Sequence, residues 1–230
     1  MQTHILGYPR IGGNRELKKA CEQYWTGKTE LSDLLSTGKE IRHTNRRIQK
    51  EAGIDIIPCN DFSFYDHVLD MTLALGAIPQ RYRKVSEKKG NTEIDLYFAM
   101  ARGYQRDGLD ITAMEMTKWF DTNYHYIVPE FIKNQTFTLS SENIFDEFKE
   151  ARDEGIYAKP VIIGPVTYLL LGKEKEDGFD KLDLLEKLLP VYIDILSKLQ
   201  NLGAQWIQLD EPFLALDLNE KSRDAYRKTY

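Results

Sequence analysis

Cysteine is the scarcest informative residue in this sequence. Two among 230 residues, Cys21 and Cys59, are too few for the disulfide framework of a small secreted domain. Histidine is nearly as sparse, at four (His4, His43, His67 and His125), and no Cys/His spacing fits a zinc template. Positive charge is not in excess: 31 Lys and Arg stand against 36 Asp and Glu, a net charge of −5. That balance excludes the simplest kind of general nucleic-acid binder, which carries a basic surplus. No apolar run reaches the roughly 18 residues a transmembrane helix needs. Met1-Gln2-Thr3-His4 has neither the basic start nor the apolar stretch of a signal peptide. Also missing are a GxGxxG dinucleotide fingerprint, a GxSxG nucleophile elbow, low-complexity tracts and any internal repeat. What is present, 42% apolar and 29% charged residues, is the composition of a folded protein. A cytoplasmic protein of one large domain or two small ones is expected.

Glycine and proline divide the chain into alternating strands and helices. Ile5-Leu6-Gly7 predicts a strand running into a loop that holds Pro9, Gly12 and Gly13. Asn14 is the predicted cap of a helix from Arg15 to Trp25. Leu31, Leu34, Leu35, Ile41 and Ile48 predict a long helix closed by Gly53. Further helices are predicted over 65–75, 94–102, 142–153 and 182–202, the last kinked or bounded at Pro190. Strands are predicted over 54–58, 111–116, 160–164 and 206–209, with a short extended piece at 124–128 and a solvated loop at 83–93. This order predicts parallel strands with crossover helices, in a doubly wound sheet or a (β/α)8 barrel. Either fold collects functional groups at the C-terminal ends of its strands.

Three constellations at such positions carry candidate chemistry. The loop from Gly7 to Gly13 leads into Arg15-Glu16-Leu17-Lys18-Lys19. It lacks the Lys-Ser/Thr of a phosphate loop, but Arg15 and Lys18 at i and i+3 share one helix face. Together with free amides at a helix start they suit a polycarboxylate ligand. The plainer alternative is a solvated basic helix start. The second is Glu115-Met116-Thr117-Lys118-Trp119-Phe120-Asp121-Thr122-Asn123-Tyr124-His125-Tyr126, in which aromatic rings and the charge of Lys118 could hold a flat anionic molecule. The alternative places Trp119, Phe120 and Tyr124 in the core. The third is Asp210-Glu211-Pro212, a pair of carboxylates able to bind metal or exchange protons, or else a cap for the next element or a partner for a base. Near Asn60–His67, Ser63 or Asp61 is expected to cap the helix that follows.

Several segments together resemble the N-terminal half of cobalamin-independent methionine synthase: Leu6-Gly7-Tyr8-Pro9-Arg10-Ile11-Gly12, Arg15-Glu16-Leu17-Lys18-Lys19, Gly53-Ile54-Asp55-Ile56-Ile57-Pro58, Glu115-Met116-Thr117-Lys118-Trp119-Phe120, Asn123-Tyr124-His125-Tyr126, Lys159-Pro160-Val161-Ile162-Ile163-Gly164-Pro165-Val166 and Gln208-Leu209-Asp210-Glu211-Pro212. They span essentially the whole chain, in family order. The resemblance implies a methyltransferase that moves a methyl group from 5-methyltetrahydropteroyltri-L-glutamate to L-homocysteine, in methionine biosynthesis. It implies two (β/α)8 TIM-type barrels in tandem, the N-terminal one helping to bind the folate and its polyglutamate tail. The C-terminal barrel would carry a zinc ion and the homocysteine site, with no cobalamin.

On this reading residues 1–230 form the N-terminal folate-binding barrel domain, truncated, and the zinc-bearing catalytic barrel is absent. The resemblance assigns folate contacts to Arg15, Glu16, Leu17, Lys18 and Lys118, and no catalytic or metal-ligating residue to this chain. It makes Asp210-Glu211 a structural remnant. About five βα steps are visible, three short of a closed barrel. The stretch Tyr226-Arg227-Lys228-Thr229-Tyr230 reads as a helix without a stop signal, so an incomplete barrel is expected. Two other readings stay open: a non-catalytic module for a pterin or polycarboxylate, and a barrel decarboxylase of a polycarboxylate with Arg10 and Arg15 as anion clamps.

Overall fold

Short polar caps and left-handed glycines set most element boundaries. The computed structural model describes residues 1–230. In chain order the elements are α1 (Glu16–Trp25), α2 (Leu31–Glu51), β1 (Ile57–Cys59), α3 (His67–Ala74), α4 (Arg83–Ser86), α5 (Glu93–Arg102), β2 (Tyr104–Arg106), β3 (Leu109–Ile111), β4 (Met116–Lys118), β5 (His125–Ile127), β6 (Glu130–Phe131), α6 (Asn143–Asp153), β7 (Ala158–Ile163), α7 (Pro165–Leu171), β8 (Lys173–Glu174), α8 (Leu185–Asn201), β9 (Gln208–Asp210) and α9 (Glu220–Thr229). The chain divides into two compact units, whose boundaries fall within β7, α8 and β9. The largest sheet has the strand order β1-β7-β9. The class is mixed α/β with parallel strands, and no closed ring of strands is formed.

The first unit comprises Met1–Phe64, Asn143–Ile162 and Leu199–Gln208. β1 runs parallel to β7, with Ile57 opposite Ala158 and Cys59 opposite Pro160. Every residue of β7 is buried, as expected of a β-branched run in a parallel sheet. The predicted strand at Ile5-Leu6-Gly7 is reduced to one parallel bridge, His4 to Ile56. The buried Lys159 donates to Gln208 Oε1 and lies 3.0 Å from His4 Nδ1. α2 buries Leu34 and Ile41, and ionic bonds tie it to α6. Arg42 reaches Glu150 at 2.8 Å, and Arg46 reaches Glu150 at 2.7 Å and Glu154 at 2.6 Å. Buried charges persist only when paired in this way.

The second unit comprises Tyr65–Glu142, Ile163–Lys198 and Leu209–Tyr230. Its core includes Leu69, Met100, Ile127, Phe131, Tyr168 and Leu169. The expected strand at 111–116 is two separate antiparallel pairs. Ile111 ends the β2–β3 hairpin and Met116 begins β4, which pairs with β5. Asp107 and Gly108, both at positive φ (60° and 76°), make the tight hairpin turn. The expected loop at 83–93 instead opens with α4, because Val85 is fully buried and holds that turn against the protein. α8 continues through Pro190; burial of Leu188, Tyr192 and Ile195 outweighs the one backbone bond proline removes. The cap of α3 is neither Ser63 nor Asp61 but Asp66, which accepts the amides of Val68 and Leu69.

Candidate functional site

The start of α1 is built by a loop pinned on every side. Asp61 accepts the Tyr8 amide at 2.7 Å, Arg10 Nη1 donates to the Ser63 carbonyl at 2.8 Å, and Asn45 Nδ2 donates to the Pro9 carbonyl at 3.1 Å. Arg10 is thereby drawn into holding the loop. The helix is capped by Arg15 in place of Asn14, and Arg15 sits in the left-handed region at φ 63° with no side-chain cap. That conformation costs an L residue about 1 kcal/mol.

Glu16 lies beneath this cap. Its Oε2 accepts the Asn14 amide at 2.9 Å, and bonds from its own amide and from Asn14 hold its carboxyl below the usual carboxylate range. The Leu17 amide donates to the Ile11 carbonyl at 3.2 Å. The expected anion site on free helix amides is therefore already taken at Glu16 and Leu17. Leu17 itself is 2% exposed, so its side chain belongs to the core. Arg15 and Lys18 are exposed. Lys18 makes a 3.6 Å pair with Glu22, one of the exposed i,i+4 pairs that contribute little. A cleft of about 510 Å³ adjoins the loop, lined in part by Tyr8, Ile11, Glu16, Glu40, Ile41 and Ile48. Its carboxylates give it the wrong sign for an anionic ligand.

In the other unit Lys118 ends β4, opposite His125, and both are exposed. Behind them Trp119 meets His67 (centroids 4.6 Å apart), Phe120 (5.1 Å) and Tyr126 (5.8 Å), all edge-on. Tyr124 stacks on His67 at 5.6 Å, and its hydroxyl lies 3.3 Å from His67 Nδ1. Trp119, Phe120 and Tyr124 are half-buried, a packed cluster with one side to solvent that matches neither a full core nor a bare stacking surface. Glu115 is held by Lys173 at 2.6 Å, which keeps its carboxyl below the usual range.

Glu211 is engaged structurally. Its carboxylate accepts the amides of Val166 (3.2 Å) and Thr167 (2.7 Å), at the start of α7, and the hydroxyls of Tyr226 (3.0 Å) on the last helix and Tyr230 (2.9 Å) just after it. It thus caps α7, which precedes it in the chain, whereas the plainer sequence reading expected a cap for the next element.

The chain's own donors do not fit zinc. Cys21 is buried with its Sγ 3.6 Å from the Phe64 carbonyl. Burial pushes the Cys59 thiol well up, away from the thiolate that binds metal. No three His, Cys, Asp or Glu side chains gather in an arrangement that could hold an ion. No helix is long and apolar enough to cross a membrane.

Comparison with known proteins follows the whole chain. Residues 2–230 match the family model described as cobalamin-independent synthase, N-terminal domain. The chain is 65% identical over 230 residues to the 5-methyltetrahydropteroyltriglutamate–homocysteine methyltransferase of Flavobacterium johnsoniae, covering 100% of this chain and 30% of that protein. It is 62% identical over 231 residues to the protein of the same name from Cytophaga hutchinsonii, again covering 100% and 30%. Identity to the Saccharomyces cerevisiae protein of that name is 51% over 238 residues, with the same coverage. The chain spans about 30% of the length of these curated relatives.

Proposed function

Because the chain belongs to the cobalamin-independent synthase N-terminal domain family, we propose that it serves the transfer of a methyl group from 5-methyltetrahydropteroyltri-L-glutamate to L-homocysteine, forming L-methionine in the cytoplasm. Residues 1–230 contribute the recognition of the folate's polyglutamate tail. The observation that carries this role is the set of uncommitted cations: Arg15 and Lys118 are exposed and make no ion pair, and Lys18 has only its weak pair with Glu22. Each γ-linked glutamate of the tail adds a carboxylate, so tail length sets how many such cations are used. Arg15 and Lys18 act through their side chains; Leu17 supports them from the core.

The strand order β1-β7-β9 keeps chain order without the reversal of a doubly wound sheet, which favours one arc of a (β/α)8 barrel. Homocysteine and zinc fall to the part of the relatives outside residues 1–230, where a bound ion would lower the thiol pKa of homocysteine. The test replaces Lys18 and Lys118 singly by Ala in the intact gene product. Each substitution should weaken the triglutamate substrate about tenfold or more and the monoglutamate far less, since a charge-assisted bond is worth about 1.5–3 kcal/mol. Equal loss for both substrates, or no loss, refutes the tail role.

A further inference from the structure

An acid in the middle of an anion-binding segment needs an explanation. Glu16 stands between Arg15 and Lys18, and a carboxylate there repels a glutamate tail if it faces it. Its carboxylate is half-exposed but bonded back onto its own loop. Oε2 takes the Asn14 amide at 2.9 Å, and the carboxylate also takes Glu16's own amide. It lies over Gly12, where a Cβ would stand 2.1 Å from Oε2. Gly12 is at φ +80°, and the Arg15 amide donates to its carbonyl at 3.2 Å. The residue between these anchors is Arg15, held in the left-handed region at φ 63°. A long side chain does not choose that backbone unaided, so neighbouring bonds must impose it.

We propose that Glu16 is a positioning residue. Its half-exposed carboxylate bonds back onto the start of α1, enforces the left-handed Arg15 cap and so presents Arg15 and Lys18 together to an outside polycarboxylate. This rests on the tail-binding role of residues 1–230 and assigns Glu16 no contact with the ligand. Two consequences follow from the bonds themselves. An external carboxylate is denied the helix-end amides and is directed to the two side chains. Gly12 is required both by its backbone angle and by the space that the Glu16 carboxylate fills.

The test uses the intact gene product with Glu16→Ala, Glu16→Gln, Gly12→Ala and the Gly12→Ala/Glu16→Ala double substitution. Binding of pteroyltriglutamate and pteroylmonoglutamate is measured by titration calorimetry. Glu16→Ala should lower the triglutamate-to-monoglutamate affinity ratio about tenfold, the scale of one misplaced charge-assisted bond. Glu16→Gln, whose amide oxygen can still accept the Asn14 amide, should keep the ratio within about threefold of the starting protein. Gly12→Ala should reproduce the loss, and the double substitution should add little to either single one. The strong intraresidue amide–Hα cross-peak that a left-handed Arg15 gives by NMR should persist in Glu16→Gln and vanish in Glu16→Ala; an overall loss of fold would instead erase cross-peaks throughout. If both Glu16 variants strengthen triglutamate binding, Glu16 faces the tail and the positioning role is wrong. If Lys18→Ala lowers the ratio but Glu16→Ala leaves it unchanged, the positioning role fails while tail recognition stands. A starting protein with no preference for the triglutamate overturns both.

Discussion

Asp66 shows how a single carboxyl couples local structure to pH. It is fully buried; Oδ1 accepts the amides of Val68 and Leu69, and Oδ2 accepts that of Ile127 at 3.1 Å. One side chain therefore caps α3 and anchors β5, on the hairpin that carries Lys118. Burial outweighs these donors and pushes its carboxyl up to about 7. An aspartate in the unfolded chain ionises near pH 4, so between about 4 and 7 the folded protein holds a proton that the unfolded chain has lost. The stabilisation is therefore complete below about pH 4 and falls as pH rises to 7 and beyond. Asp66→Asn cannot ionise and lacks this component. It carries instead a fixed cost of about 1–2 kcal/mol, because its NH2 group meets an N–H donor on one side. In urea unfolding, the stability advantage of the unaltered protein over Asp66→Asn should shrink between about pH 5 and pH 8. An advantage that grows with pH would show that the three donors, and not burial, govern this group. None of this was legible in sequence, where Asp66 is one acid among several and Ser63 or Asp61 looked the better cap. The left-handed Arg15 was equally hidden, since arginine carries no signal for positive φ; the one available hint was an acid set among cations.

Elements were legible in proportion to their length. α2, α6 and α8 follow from helical spacing, and β7 from an uncharged β-branched run between proline and glycine. The hairpins were not, because strands of three residues show no period; only the Asp107-Gly108 turn marked them. What joins distant elements was also invisible, and Glu211 is the clearest case. Four donors converge on it from α7, α9 and Tyr230 just after α9, and Gly164 leaves it room: a Cβ there would clash with its carboxylate. Glu211→Ala should cost about 2–4 kcal/mol, since two backbone amides and two hydroxyls lose one acceptor. Gly164→Ala should approach that cost by displacing the carboxylate. The two together should fall well short of the sum of the singles, because both act on one set of bonds. Thermal unfolding of the three variants measures this; strict additivity would mean that Gly164 serves backbone geometry alone.

At the scale of the whole molecule, the net charge of −5 argues against a general nucleic-acid binder but says nothing of where single cations stand. Acidic groups are drawn into bonds with arginine and lysine, as in the α2–α6 network, while Arg15 and Lys118 stay exposed. An attraction resting on a few exposed cations is screened within about 10 Å at 0.1 M salt. The same separation of roles applies to catalysis. Activating a thiol needs a metal or a low-pKa partner. The two cysteines of this chain are buried, with Cys59 pushed well away from thiolate, and no cluster suited to a metal accompanies them. A chain limited to residues 1–230 should therefore show no methyl transfer to homocysteine, with or without added zinc. After dialysis it should retain far less than one zinc per chain by atomic emission. It should nevertheless bind pteroyltriglutamate, more weakly as salt rises, because the exposed cations lie within these residues. Turnover, or tightly held zinc, would place part of the chemistry on side chains that burial here marks as inert. Tail binding that ignores salt would instead remove the cations from recognition and leave the aromatic cluster behind Lys118 as its source.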